Sequence, residues 1–320
     1  MAEPPSKDPT ETPSRPAPQL QDALAGRTDP DRPILIAGPT ASGKSGLAMA
    51  LARAGGRSIV NADALQVYGG WHLLTARPGA RDMAEVPHAL FGHVPPDRDY
   101  SVGTWLREAA PLLDQHPAPV IVGGTGLYFA ALTEGLADIP ATSPDTRARA
   151  TALLERAGLE ALAAALDPDT RAGIDLQNPM RVQRAWEVQA QTGRGLAAWQ
   201  RDTAPPLLPL ENALPILLTA DRDWLAARIA ARFEVMLADG ALEEARAMMP
   251  GWDPARLSSR AIGAAELIAH LRGELTLEQA RAATLLATRQ YAKRQRTWFR
   301  NRMVAWCAVD AQEIGRMIRK

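Results

Sequence analysis

Residues 38–45 read GPTASGKS, with the apolar run PILIAG before the loop and LAMALARAG, spaced as an amphipathic helix, after it. Gly38, Pro39, Thr40, Ala41, Ser42, Gly43, Lys44 and Ser45 thus satisfy GxxxxGK[ST] in the strand–loop–helix setting that turns the pattern into a site. Glycines let the backbone curl until successive N–H groups and the following helix N-terminus point at one anion. Lys44 supplies a positive charge to that anion, and the Ser45 hydroxyl can ligate Mg²⁺. The loop does not say which di- or triphosphate it holds.

Such a loop demands a buried strand, and three more runs of that type follow: RSIVNAD (57–63), APVIVGGTG (118–126) and LPILLTADR (214–222). Apolar strands alternating with helical stretches predict an α/β fold, a P-loop NTPase-like parallel sheet flanked by helices. Residues 141–202 are rich in Ala and Arg, as in SPDTRARATALLERAGLEALAAAL, and carry no strand signal, which predicts a helical insertion domain. The catalytic core is then expected at 33–140 and 203–320, with helices at its C-terminal end. Residues 1–32 hold seven prolines and few large apolar side chains, too little to offset the entropy of ordering, so a disordered tail is expected there.

Composition removes several function classes. With 320 residues and 46% apolar content, global disorder is excluded. One cysteine, Cys307, and five scattered histidines give neither a disulfide framework nor a zinc cluster. No run approaches the roughly 20 apolar residues of a membrane span, and the N-terminal segment is acidic and proline-rich, so a cytoplasmic protein without a membrane partner is expected. Formal net charge is zero. A polyanionic partner must therefore meet a local basic patch.

A P-loop ATPase needs an acid at the end of another central strand, but APVIVGGTG ends in Gly123, Gly124 and Thr125. The available acid is Asp63 of NADALQVY, at the end of the strand after the P-loop helix. It suits a base beside the phosphates and equally an N-cap. Gln66, in the spacing DxxQxY, can offer a donor and an acceptor to a nucleobase edge. From Gln279 to Val309 there are seven basic residues and no acidic one. Arg289, Lys293, Arg296 and Arg300 fall on one helical stripe, with Tyr291, Trp298 and Phe299 interleaved, a pattern that suits a phosphate backbone with aromatics for packing or base stacking. Arg181 and Arg184 would share another helix face, where pairing with Glu187 is the alternative use.

GPTASGKS, NADALQVY, TARP (75–78), VGGTGLYF (122–129), NPMRVQRAWEVQAQTG (178–193), RAIGAAE (260–266) and ATRQYAKRQRTWFRN (287–301) occur in that order. Together they resemble the bacterial tRNA dimethylallyltransferases, or IPP transferases, which modify adenosine 37 beside the anticodon. The resemblance runs from Pro33 to about Asn301. It implies that Thr40 to Ser45 bind the diphosphate of dimethylallyl diphosphate with Mg²⁺ near Ser45. It implies Thr40, Lys44, Asp63 and Thr125 as catalytic residues, with Thr125 at the reaction channel and Asp63 accepting from the adenine N6 amine. Asp63, Ala64, Leu65 and Gln66 would meet the target nucleotide, and Arg147 a substrate. Met180, Arg181, Val182, Gln183 and Arg184, then Arg260, Ala261, Ile262 and Gly263, and Lys293, Arg294, Gln295, Arg296, Thr297, Trp298, Phe299 and Arg300 would contact the tRNA anticodon stem-loop. A monomer is expected, with the insertion gripping the RNA.

The chain departs from the family pattern at Arg77, in TARP for the frequent TAKP, at Ala264, where an aromatic is common, and at Gly69, which replaces an arginine. Two other classes stay open from the residues themselves. A small-molecule kinase could use Asp63 on a hydroxyl, but leaves the basic helix unexplained. A P-loop binding module would need no acid beside the loop. Prenylation of AMP is a third possibility, for which the basic helix again has no use.

Overall fold

The computed structural model describes residues 18–317. These residues divide into two compact units, one made of those up to Phe129 together with those from Leu208 onward, and the other Ala130–Leu207. The helical unit is thus wider at both ends than the expected 141–202.

The first unit is built on six strands: β1 (Ile34–Ala37), β2 (Ile59–Asn61), β3 (His88–Ala89), β4 (Val120–Gly123), β5 (Leu214–Thr219) and β6 (Cys307–Asp310). They form one sheet in the order β3-β2-β4-β1-β5-β6, every neighbouring pair parallel. Strands β1, β2 and β4 are buried at every residue, as a sheet covered on both faces requires. Strands β3 and β6 were not among the expected runs. One has only two residues, and the other, CAVD, takes its strand geometry from pairing Ile216 to Thr219 rather than from an apolar run.

Register decides where the chemistry sits. Ala37 pairs with Gly123, and Asn61 with Val122, so GPTASGKS, Asp63 and the GGT turn all leave the carboxyl ends of adjacent strands. That edge, where the chain order switches direction about β1, is where open parallel sheets bind ligands.

Helices α1 (Pro18–Leu24), α2 (Lys44–Gly55), α3 (Ala80–Glu85), α4 (Val102–Ala109) and α5 (Gly126–Glu134) belong to the first part of the chain. α1 corrects the expectation of a disordered tail through residue 32. Leu20 and Ala23 are buried in the same core as Leu47 and Leu51 of α2, and the chain after α1 is held by buried Arg57. Its guanidinium donates to the carbonyls of Asp29, Arg32 and Ala118 at 2.7, 3.0 and 2.7 Å. Leu20, Ala23, the partly buried Leu24 and the Arg57 guanidinium dock this segment; the preceding residues of the expected tail lie outside the described region.

Unit two holds α6 (Pro144–Ala164), α7 (Pro168–Gly173), α8 (Pro179–Thr192) and α9 (Leu196–Arg201), around a small core of Leu162, Ala163, Leu166, Val182 and Ala185. Side chains of Ser143, Asp167 and Asn178 cap three of these helices, each followed by proline at the first helical position. The chain then returns to the sheet unit with α10 (Arg222–Ala238), α11 (Ala241–Met248), α12 (Ala264–Leu271), α13 (Leu277–Arg302) and α14 (Ala311–Met317). A second core joins Trp71 and Leu74 to α10, α11, α12 and α13. Among the described residues no helix is long and apolar enough to cross a membrane.

Candidate active site

The phosphate loop has the backbone its glycines predict. Gly43 has φ +92° and immediately precedes α2, which starts at Lys44, while Ala41 adopts the same left-handed region at φ +63°. A Cβ on Gly38 would lie 2.9 Å from Ser42 Oγ and 3.0 Å from Leu218 Cβ, so that position also needs glycine for space. The loop is braced from α10: Arg228 Nε donates to the Ala41 carbonyl at 2.8 Å, and its guanidinium stacks 4.7 Å from the Trp224 ring centre.

Asp63 reaches the cavity beside this loop because its backbone is gripped from behind. The fully buried Asn61 accepts the Asp63 N–H at 2.9 Å and donates to the Asp63 and Leu90 carbonyls, each at 3.0 Å. Trp105 Nε1 in turn holds the Asn61 carbonyl at 2.7 Å. Of the two uses foreseen for Asp63, one oxygen serves a cap-like turn: Oδ1 accepts the Leu65 N–H at 3.0 Å. The residue nonetheless lines the cavity together with Thr40, Lys44, Arg232 and Tyr291. Thr125 Oγ1 accepts the Ala64 N–H at 2.9 Å and so ties the GGT turn to the segment after Asp63.

The electrostatics fit an anion site. Burial pushes the Lys44 ammonium down to about 8, with Asp63 opposing that shift and Arg232 adding to it. Burial likewise lowers Arg232, against the pull of Asp63, and raises the Tyr291 phenol. Two half-buried cations that face one carboxylate are short of negative charge, which a phosphorylated ligand would supply. Arg232 was missed from sequence. Arg228 and Arg232 stand four apart on α10, a visible spacing, but nothing in RIAARFEVM says which face meets the P-loop. An apolar stretch of wall comes from Leu65, Leu74, Ile229, Phe233, Met236 and Ile262, with Gln66, Thr75, Thr284 and Thr288 as polar neighbours. Lys44, Ser45, Gln66 and Ala76 also border a second cavity walled by Met49, Ile59, Phe91 and Val122.

Gln66 faces both cavities, yet its amide N–H groups are already engaged by the Thr75 and Ala76 carbonyls at 2.8 and 3.2 Å. A donor to a nucleobase is therefore not what it offers; its carbonyl oxygen is the group that remains. The loop carrying Thr75 is itself fixed by Glu244, whose carboxylate accepts the N–H groups of His72, Leu73 and Leu74. Arg77, in the TARP departure, uses its fork on the Trp71 and Gly69 carbonyls at 3.1 and 2.9 Å, so it acts as a loop brace.

On α13 the expected stripe is exposed: Arg289, Lys293, Arg296 and Arg300, with Arg294 and Thr297 beside them. The interleaved residues turn the other way. Gln295 and Phe299 are buried, Tyr291 lines the cavity, and the Trp298 ring occupies the space a Cβ on Gly126 would take, 2.1 Å from Cε3. Gln295 and Phe299 are therefore removed from the expected RNA contacts, and Trp298 packs on backbone. Ala261 and Gly263 are buried and Ile262 lines the cavity, so of that expected RNA-contacting segment Arg260 alone is exposed. Ala264, the departure from an aromatic, is a fully buried core residue.

In the helical unit Arg147, Met180 and Arg181 are exposed and Gln183 and Arg184 half-buried, whereas Val182 is fully buried in the core and is corrected accordingly. Arg184 bonds Thr142, and Glu187 engages Thr142 and Gln183, so the foreseen pairing with Glu187 is not the one made.

The described residues contain no group of three or more His, Cys, Asp or Glu able to enclose a metal. A magnesium ion fits only in the manner of P-loop proteins, held by substrate oxygens, water and a hydroxyl, and the exposed Ser45 at the start of α2 presents that hydroxyl.

The family model described as IPP transferase matches residues 66–302, and that of isopentenyl transferase matches 32–87. A tRNA dimethylallyltransferase of Cereibacter sphaeroides (strain ATCC 17029 / ATH 2.4.9) is 59% identical over 313 residues, covering 96% of this chain and 98% of its own. Another, from Ruegeria sp. (strain TM1040), is 60% identical over 282 residues, covering 88% and 96%. The solved tRNA isopentenylpyrophosphate transferase of Bacillus halodurans superposes with a TM-score of 0.63 at 32% identity, covering 90% of this chain and 95% of its own. A eukaryotic dimethylallyltransferase acting on tRNA has a TM-score of 0.74 at 24% identity, covering 88% and 74%, a likeness of fold. A phosphate loop after β1, an acid after β2 and a basic helix are here joined to matches along nearly the whole chain: it belongs to the IPP transferase family.

Proposed function

We propose that this protein transfers a dimethylallyl group from dimethylallyl diphosphate to N6 of adenosine 37 in tRNA, releasing diphosphate. One observation carries the reading: Asp63 and the phosphate loop face one cavity from the carboxyl ends of β2 and β1, on either side of β4, with apolar side chains beside them. Adenine N6 is a weak nucleophile because its lone pair is delocalised into the ring. Positioning and proton removal are thus the work required at that end. The N6–carbon bond forms as the allylic carbon–oxygen bond breaks; Asp63 takes the N6 proton, and the bonding electrons leave on diphosphate oxygen.

Lys44, Arg232, Thr40 and the loop N–H groups stabilise the charge growing on that oxygen. Magnesium, held at Ser45 and by the diphosphate, would add Lewis-acid stabilisation of the same charge. Leu74, Phe233, Met236 and Ile262 offer the five-carbon chain an apolar wall that also keeps water from an allylic cation. A base stacked in the anticodon loop cannot reach such a cavity, so the target nucleotide is flipped into it. The exposed stripe of α13 would hold RNA phosphates, with Arg147, Met180, Arg181 and Arg184 of the helical unit as further contacts.

The test is direct. The protein is incubated with Mg²⁺, dimethylallyl diphosphate labelled in the prenyl chain, and either tRNA or AMP, with labelled ATP in a parallel tube. Label passing to tRNA supports the reading. Label passing to AMP, or phosphate released from ATP without prenyl transfer, overturns it.

A further inference from the structure

The inward face of α13 holds a group that the basic stripe does not explain. Gln295 is 6% exposed and lies between two loops of the sheet edge. Its Oε1 accepts the Thr40 N–H of the phosphate loop at 2.8 Å, and its Nε2 donates to the Gly124 carbonyl of the GGT turn at 2.9 Å. Only one amide orientation satisfies both, because an N–H must face the carbonyl and an oxygen must face the N–H. Space is equally tight. A Cβ on Gly124 would come 2.4 Å from Gln295 Nε2 and 3.1 Å from Asp63 Oδ2, so the amide and the carboxylate flank the same glycine.

These contacts close a circuit around the cavity. Gln295 joins the phosphate loop to the turn, and Thr125 joins the turn to the segment after Asp63. The leaving-group end and the base end are therefore held to each other through one side-chain amide. We propose that Gln295 is a positioning residue for the transfer, a clip that sets the phosphate loop at a fixed distance from Asp63. It is not an RNA contact. This rests on the reaction proposed above. Arg296, next in sequence and exposed, belongs to the RNA-facing side of the same helix.

Gln295→Met keeps the volume and removes both bonds; Arg296→Ala is the comparison. For Gln295→Met, kcat at saturating tRNA is expected to fall roughly 100-fold, the size expected of a misplacement near one ångström. Its tRNA affinity in filter binding stays within about twofold, and inorganic diphosphate, titrated without RNA, binds about tenfold more weakly, as for one lost hydrogen bond. Arg296→Ala is expected to show the reverse split, with weaker RNA binding and an inorganic diphosphate affinity like that of the unsubstituted protein. An unchanged kcat in Gln295→Met overturns the proposal, as does a loss of RNA affinity matching that of Arg296→Ala. So does a lowered thermal midpoint with kcat retained at a temperature where the variant is folded. Absence of prenyl transfer by the unsubstituted protein would instead defeat the reaction assignment, and the diphosphate titration would still decide the clip.

Discussion

In the sheet unit the buried polar side chains Asn61 and Gln295 bond backbone atoms that shape the cavity, and Arg57 bonds carbonyls beneath the strands. In the helical unit the buried polar side chains Thr146, Thr170 and Glu187 serve helix starts and connections. Both sets satisfy polar groups that could not otherwise be buried. Asn61 and Gln295 also fix the backbone of Asp63, Thr40 and Gly124 around the cavity, whereas the second set only terminates helices and joins them. A chemical step needs atoms placed within a fraction of an ångström. A charged surface that meets a phosphate backbone needs much less.

Substitutions can break or sharpen that contrast. Asp63→Asn removes the proton acceptor and keeps the shape, and is expected to lower kcat by about 100- to 10,000-fold with tRNA binding unchanged. Single-turnover transfer and filter binding measure the two. Loss of both together would make Asp63 a binding group. In the helical unit, Leu162→Ala empties a fully buried position and is expected to cost about 2–5 kcal/mol of stability in denaturant titration. Transfer at saturating tRNA should persist while KM for tRNA rises. A fall in kcat at saturation would place positional work in that unit and erase the contrast.

Asn61→Leu frees the Asp63 backbone without touching its carboxylate. An effect of roughly 10- to 100-fold on kcat is expected, with little change in either KM. A change in KM for tRNA alone would show that Asn61 shapes a surface instead. The smallest effect is the pH response of Lys44. Its folded value, pushed down to about 8, lies below the ordinary 10.5, so the ligand-free fold disfavours the charged form. Its contribution to stability therefore rises from pH 8 to 10.5, while affinity for diphosphate falls as the charge is lost. The loss approaches about tenfold per pH unit above 8. Diphosphate titrations from pH 7 to 9.5 would show it, and a flat profile would remove Lys44 as the principal cation.

The site was legible where its chemistry is local. The curl of GPTASGKS and the small-residue turn of VGGTG depend on a few adjacent residues, and strand periodicity set them at one sheet edge. The basic stripe was legible too, since a helix repeats every 3.6 residues. What Gln295, Trp298 and Phe299 do was not legible, because the same periodicity fits either face inward. Arg232 and Glu244 were hidden for a related reason: each reaches a loop more than 160 positions away. α1 was hidden by composition, because the seven prolines of residues 1–32 outnumber the three apolar residues that dock it.

By itself, then, the sequence determined the four central strands, the phosphate loop, the acid after the second of those strands in chain order and the cationic helix, because backbone curvature and side-chain alternation are properties of neighbouring residues. Tertiary structure alone decided which amides, carboxylates and cations converge on the cavity. Those choices depend on burial, where each unsatisfied polar group must find its partner wherever the fold has placed it.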